Sequence, residues 1–414
     1  MIKSLFRQIW NQRYSNAWVW MELMVVLVLL WYGVDLVYNY EAAAIQPKGY
    51  DTENVFDVEL GIKSELQNDS VLMSRSSAYL EQIYKLIQEY RGVEEACFYY
   101  GTIPYSKHTM HEGYAPHSDS THLVNCYIRY VSPTYFKVFR LKPSAGTFEE
   151  TRWREGEYPI PVMMSVTLSD SLFGDRGCIG ATCFNPYFLQ SQYPVTNYKV
   201  MTVLPAHKTD DYERYKPFIY LPSSTLTSWH HIAVRVSSDA TVGFKERFMK
   251  EMQVKLAIGP YYLYDMNSYA DMKEAFDIEE GTVNYLNTAY AVIVFFIFNV
   301  FLGMLGTFWF RTRKRAGEIA LRMAMGSSRI GVFIYYSLEG ILLLLSAAVP
   351  AVVICIHMQL ADLNVHTLMD ATSGRFVFCF LVALLLLVVI ILLGIWFPAR
   401  QAMQIQPAEA LHGE

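Results

Sequence analysis

Four stretches of this 414-residue chain are long and apolar enough to govern everything else about it: Ala17–Tyr38, Tyr285–Phe310, Val332–Ile356 and Phe376–Phe397. A bilayer core about 30 Å thick takes roughly 20 residues of helix, and a backbone in lipid must satisfy its own hydrogen bonds. Each stretch therefore reads as a transmembrane helix. The first is too long for a signal-peptide core and no small-x-small cleavage site follows it, so it reads as a retained span. Only 18% of the residues are charged, against roughly 25% in an ordinary soluble protein. A mean hydropathy of just +0.17 confines the apolar excess to those few segments.

The partition that follows is a helical membrane protein of four spans with one large α/β extracytoplasmic domain. An amphipathic cytoplasmic N-terminus (1–16) precedes span 17–38, the domain with its stalk covers 39–284, and span 285–310 follows. A cytoplasmic segment (311–331), span 332–356, an extracytoplasmic turn (357–375), span 376–397 and a cytoplasmic tail (398–414) complete it. Orientation comes from the short basic flanks, Lys3, Arg7 and Arg13 before the first span and Arg311, Arg313, Lys314, Arg315, Arg322 and Arg329 between the second and third. Both termini are then cytoplasmic, and Asp362 and Asp370 lie outside. A net charge of −5 excludes a broadly basic nucleic-acid binder.

Three acids fall within the spans. Glu22 and Asp35 are near the ends of their helix and can reach the interface, whereas Glu339 is about two turns into its span and is expected to make a helix–helix hydrogen bond.

The domain pattern is mixed. Helices are expected over Ser74–Arg91, Ser132–Phe139, Ser165–Phe173 and Thr241–Leu256, and strands over Glu95–Tyr100, His122–Val131, Tyr198–Leu204, Pro217–Leu221, His231–Val236 and Ile258–Tyr264. Asn267–Asn284 reads as a helical stalk running into the second span, with Gly281 its one breaker. His108, His111, His117 and His122 are spaced closely enough to suggest zinc ligands, but H-E-x-x-H fails because position 115 is alanine, and Gly113, Pro116, Ser118 and Ser120 describe a polar loop. No metal site is therefore assigned. Cys178 and Cys183 could close a small loop in an oxidising compartment or remain free buried thiols. No G-x-S-x-G is present to support a nucleophile-elbow hydrolase.

The segment between the second and third spans carries Ala316, Ile319, Ala320 and Met323 as an i, i+3, i+4, i+7 stripe, with Glu318 and Arg322 paired at i, i+4. This is a short amphipathic helix that Gly326 stops and that can rest on lipid headgroups or dock a partner. In the tail, Pro398 and Pro407 are each placed to begin a short helix, with Glu409 in the first turn of the second.

The loop R-K-R-A-G-E-I-A-L-R-M-A-M-G-S-S-R resembles the R-x-R-E-I-x-L-R-x-A-x-G-A motif of the FtsX-like permeases of ABC transporters, the MacB/LolC/LolE superfamily. The tail P-A-R-Q-A-M-Q-I-Q-P-A-E-A-L resembles that family's P-A-R-x-A-x-x-x-x-P-x-E-A-L ending, and Leu338-Glu339-Gly340 its L-x-E-[AG]. Val131–Phe139 with Gly146–Phe148 is similar to part of the MacB-type periplasmic core domain. By that resemblance Arg315, Glu318, Ile319, Arg322, Ala324 and Gly326 form the coupling helix that contacts an ATPase, and Pro398, Ala399, Arg400, Pro407, Glu409, Ala410 and Leu411 match the tail. Gly317 and Ala320 depart from the residues usual there.

The resemblance implies a bacterial inner-membrane permease that pairs with a second permease chain, identical or paralogous, above a cytoplasmic ABC ATPase dimer. It would carry no cofactor itself, with ATP and Mg on the ATPase. A periplasmic adaptor or envelope protein is a further expected partner, besides membrane lipid. The sequence contains no G-x-x-x-x-G-K-[ST], so ATP hydrolysis is expected on a separate chain, and the permease itself is expected to be no enzyme. Mechanical transmission of that hydrolysis outward, for export or extraction of a peptide, antibiotic or lipoprotein, is the leading function. An FtsX-like regulator that activates a periplasmic partner is the alternative.

Overall fold

A computed structural model describes residues 13–402 apart from 68, 118, 120, 149–156, 175–176, 188–196, 315–316, 318–320, 322–324, 362, 364–367 and 371. The chain forms two compact units, residues 1–44 with 283–414, and residues 45–282. In chain order the elements are α1 (Arg13–Ile45), β1 (Val55–Ile62), α2 (Ser70–Ser74), α3 (Ser76–Gln88), β2 (Val93–Gly101), β3 (His111–Pro116), β4 (Val124–Val131), α4 (Tyr135–Val138), β5 (Ala145–Gly146), β6 (Ile160–Ser165) and α5 (Val166–Phe173). There follow β7 (Thr182–Phe184), β8 (Asn197–Leu204), β9 (Phe218–Pro222), β10 (His231–Val236), α6 (Phe244–Met252), β11 (Tyr261–Ser268), α7 (Tyr269–Glu279), α8 (Thr282–Lys314), α9 (Arg329–Leu360) and α10 (Ser373–Ala402).

Within the first unit, α1, α8, α9 and α10 are each long and apolar enough to cross a membrane. Their shared core repeats at helical spacing, with Leu23, Leu27 and Trp31 on α1, Leu344, Ala347, Ala351 and Cys355 on α9, and Cys379, Ala383, Leu387 and Ile391 on α10. Small side chains on the facing sides of α9 and α10 let those backbones approach, the usual source of cohesion where lipid offers no hydrophobic drive. From α8 only Val300 and Met304 are fully buried in this core among the described residues. Pro350 lies inside α9, and α10 continues through position 398 to Ala402. The expected new helix at Pro398 is thus an extension of the last span. A proline deletes one i→i−4 bond, and the remaining ladder carries the helix past it.

In the second unit the strands follow the order β11-β1-β10-β2-β4-β3-β7-β8-β6-β9, and β9 also pairs in parallel with β4. The last six strands of that path therefore close on themselves, while β11-β1-β10-β2 form an open wing attached to β4. Both β2 and β3 pair with β4, through residues 129–131 and 124–127 respectively. At the branch, Gly101 has φ +108°, and a Cβ there would stand 2.6 Å from the Ile128 carbonyl oxygen, so only glycine fits.

Alternation along the strands separates the cores. Cys126 and Ile128, Val162 and Met164, and Ile219 and Leu221 fill the closed part with Leu168 of α5. Helices α3 and α6 cover one face of the wing with Leu80, Ile83, Phe244 and Phe248. A third core, rich in tyrosine and phenylalanine, packs around α4 and Tyr269 of α7.

Several expected boundaries move. The stalk is not one helix: Asn267 and Ser268 end β11, the Ser268 hydroxyl accepts the Asp271 amide at 3.0 Å as the α7 cap, and the chain turns at Gly281 (φ +75°) before α8. The helix expected over Ser132–Phe139 is the shorter α4, and the Ser132 hydroxyl before it accepts the Phe98 amide at 3.1 Å and ties β2 to the end of β4.

Candidate functional site

Of the residues expected to form a coupling helix, Arg315, Glu318, Ile319, Arg322 and Ala324 lie outside the described residues, as do Pro407, Glu409, Ala410 and Leu411 of the tail. What surrounds them is defined. The end of α8 sets the Arg313 guanidinium over the Trp309 ring at 5.0 Å and the Lys314 ammonium over Phe310 at 5.1 Å. Such cation–aromatic pairs suit a helix end at a membrane surface. Gly326 takes φ +93° in a turn, and the Ser328 hydroxyl accepts the Gly331 amide at 3.1 Å to cap α9. Pro398, Ala399 and Arg400 lie within the last two turns of α10.

The intramembrane acids are placed differently from one another. Glu339 is buried on α9. Glu22 is half-buried on α1, with one oxygen 3.3 Å from where a Cβ on Gly303 of α8 would sit. Asp35 does not reach out to an interface. It is buried and takes both Nε and Nη2 of Arg375 at 2.7 Å, while Nη1 reaches Asn39 Oδ1 and the Met369 carbonyl, each at 3.3 Å. The bidentate fork, together with these two oxygens, is what makes a buried ion pair tolerable.

In the α/β unit a second ionic cluster joins the segment that follows α1 to the helix that precedes α8. Asp211 pairs with Lys48 at 3.1 Å and with Lys273 of α7 at 3.0 Å, and Lys273 also reaches Asp277 at 2.7 Å. The Tyr105 hydroxyl donates to Asp211 at 3.2 Å, and the Lys48 ammonium donates to Tyr105 at 2.6 Å. Two further bonds hold the incoming chain: the Lys208 amide to the Lys48 carbonyl (3.2 Å) and the Tyr215 hydroxyl to the Pro47 carbonyl (3.1 Å). Lys107 adds pairs to Glu279 and Glu280 at 3.1 and 3.0 Å. Burial alone would raise the Asp211 carboxyl, but Lys273 and Lys48 outweigh it and hold it below its usual range. Its neighbour Asp210 is pushed up to about 7 by burial and by Glu213, Asp211 and Asp277.

Two buried arginines cross-tie other parts of the same unit. Arg235 donates to the carbonyls of Val138 (2.5 Å), Glu53 (2.7 Å) and Asp51 (2.8 Å). Arg129 donates to the Thr102 carbonyl at 2.7 Å and lies within about 6 Å of the Tyr99, Tyr135, Phe218 and Tyr220 rings, whose faces stand in for a carboxylate.

The histidines do not converge. His111 packs on Tyr127 at 4.1 Å, His117 bonds Asn197 at 2.8 Å, and His122 bonds the Ser171 carbonyl at 2.7 Å. Among the described residues no group of three or more His, Cys, Asp or Glu could hold a metal ion. All six cysteines are free and buried; Cys178 accepts a hydrogen bond from the Ser169 hydroxyl at 2.9 Å.

Four helices long and apolar enough to cross a membrane, with a large α/β unit inserted between the first and second, make this a multi-pass membrane protein. Residues 290–407, which run from α8 through α9 and α10, match the FtsX-like permease C-terminal family. Over that segment the chain carries an FtsX-like permease C-terminal region.

It is 22% identical over 204 residues to the macrolide export ATP-binding/permease protein MacB of Campylobacter jejuni, covering 47% of this chain and 31% of the relative's length. Among solved structures, the periplasmic region of MacB from Actinobacillus actinomycetemcomitans aligns at 11% identity over 58% of this chain and 97% of that one, with a TM-score of 0.33. The extracellular domain of the ABC-type transporter YknZ from Gram-positive bacteria aligns at 12% over 50% of this chain and 100% of its own, with a TM-score of 0.31.

Proposed function

We propose that this chain is the permease subunit through which a separate ABC ATPase dimer, using ATP and Mg, moves an α/β domain on the far side of the bacterial inner membrane. The observation that carries this reading is the family match over residues 290–407, because it contains the whole basic segment between α8 and α9. In this reading Arg315, Glu318, Ile319, Arg322, Ala324 and Gly326 present the contact to the ATPase, with the tail from Pro398 to Leu411 beside it. Both termini are cytoplasmic, and a second permease chain completes the pair.

Motion enters at the basic segment and passes along α8. The Asp211 cluster supports the outward step, since one carboxylate grips both Lys48, just after α1, and Lys273, just before α8. A nucleotide-driven shift needs an element with two arrangements, and a domain whose entering and leaving segments are tied together responds as one to a shift of either. The substrate class is an envelope peptide, antibiotic or lipoprotein, and the name of the Campylobacter relative supports export.

Co-expression and co-purification of the full chain with a candidate ABC ATPase from the same genome tests the reading. The wild-type chain should form the complex and stimulate ATP hydrolysis, and Glu318→Ala with Arg322→Ala should abolish the stimulation. Unchanged complex formation and hydrolysis in that variant would sink the coupling role. Stoichiometric capture of one periplasmic protein, with no transport, would favour regulation of a partner instead.

A further inference from the structure

The wing carries a groove, over β1 between the start of β10 and the edge strand β11, that the permease reading does not use. It encloses about 450 Å³ between the turn before β10, the middle of β1 and the start of β11. Trp229 and Tyr264 line it while 74% and 64% exposed, an arrangement that costs apolar hydration unless something covers them. Tyr262 lies flat on the β1 backbone: a Cβ on Gly61 would stand 2.4 Å from its Cζ, so the ring is held in place by the absence of a side chain there.

The acidic group of the groove is Glu59, with one oxygen accepting from Asn267 at 3.1 Å and the other free of hydrogen bonds among the described residues; its charge, with that of Asp57, favours the protonated His231 imidazole beside it. No lysine or arginine is among the described lining residues. His231, also at the wall, turns its Nδ1 toward the buried Asp57 at 3.4 Å. Aromatic faces around a single carboxylate are the chemistry that holds an organic cation. Beside them β11 pairs, among the described residues, with β1 on one side only, so its outer row of amides and carbonyls can accept another strand.

We propose that this groove binds the arginine or lysine side chain of an extended polypeptide that adds to the free edge of β11. The strand addition supplies register, and alternate side chains of the added strand then fall on the face where Tyr262, Tyr264 and Glu59 lie. The proposal stands independently of the transport reading.

It is tested on the full chain in phosphatidylcholine nanodiscs, by calorimetric titration with acetyl-Val-Arg-Val-Arg-Val-amide, its glutamate counterpart and acetyl-arginine amide. Empty nanodiscs serve as the blank. The arginine peptide should bind, the glutamate peptide should not, and the single amino-acid amide should bind at least about tenfold more weakly because it lacks the strand. Glu59→Gln and Trp229→Ala should each weaken the arginine peptide by about tenfold, with Trp229→Phe intermediate. Equal binding of the two peptides, or wild-type affinity in Glu59→Gln and Trp229→Ala, would overturn the proposal. Equal affinity for the single amide would overturn the strand addition.

Discussion

Asp35 of α1 and Arg375 of α10 face each other as a buried bidentate pair, with both contacts at 2.7 Å. The pair joins the first and last spans of the helical unit, and the Thr372 hydroxyl, accepting the Arg375 amide at 3.2 Å, fixes where α10 starts. Removing either partner leaves a charge stranded in a site with little water. Asp35→Ala or Arg375→Ala should therefore cost about 3–5 kcal/mol. The double replacement Asp35→Leu with Arg375→Met, which removes both charges, should cost less than either single change. Thermal unfolding of the four proteins in one detergent measures this, and additive losses would show that the two residues are not coupled.

Arg235 makes a stricter demand on side-chain type. Its fork satisfies three backbone carbonyls on two separate segments, residues 51–53 and the end of α4. A lysine can keep the charge but cannot reach all three, and each stranded carbonyl costs about 1–3 kcal/mol. Arg235→Lys should therefore lose about 2 kcal/mol or more in chemical unfolding, whereas Arg140→Lys, at an exposed pair, should be close to neutral.

Asp210 gives the Asp211 cluster a pH dependence. Its carboxyl is raised from 3.8 to about 7 by burial first and then by Glu213, while its Oδ1 accepts the Tyr212 amide at 2.7 Å. A folded-state value above the unfolded one means that the folded form holds the proton more tightly. The associated stability is full below about 4 and is lost as pH rises through about 7. Hydrogen exchange of residues 205–216 should thus quicken between pH 6 and 8 beyond the intrinsic base-catalysed trend, and Asp210→Asn should remove the excess.

The spans were legible because lipid leaves a helix no alternative to about 20 apolar residues. Arg375 was not, because a cation at the start of an apolar run looks the same whether it faces headgroups or a carboxylate on another helix. Asp35 was misjudged for the same reason. In the domain, strands with clean alternation such as His231–Val236 stood out. β3 and β6 did not, since Gly113, Pro116 and Pro161 read as breakers and only the neighbouring strands make them ladder positions. Asp211 gave no local sign at all: its partners, Lys48 and Lys273, are 163 and 62 positions away. The stalk failed at Gly281, where the weakest point of an otherwise helical composition is the turn itself.

Hydrogen exchange on the full permease–ATPase complex in nanodiscs, nucleotide-free against ATP–vanadate-trapped, tests the transmission of ATP hydrolysis most directly. The predicted result is a change in protection of residues 205–216 and 269–282 on trapping, which Glu318→Ala with Arg322→Ala abolishes. Identical exchange in the two nucleotide states, or the same change in the variant, would contradict it.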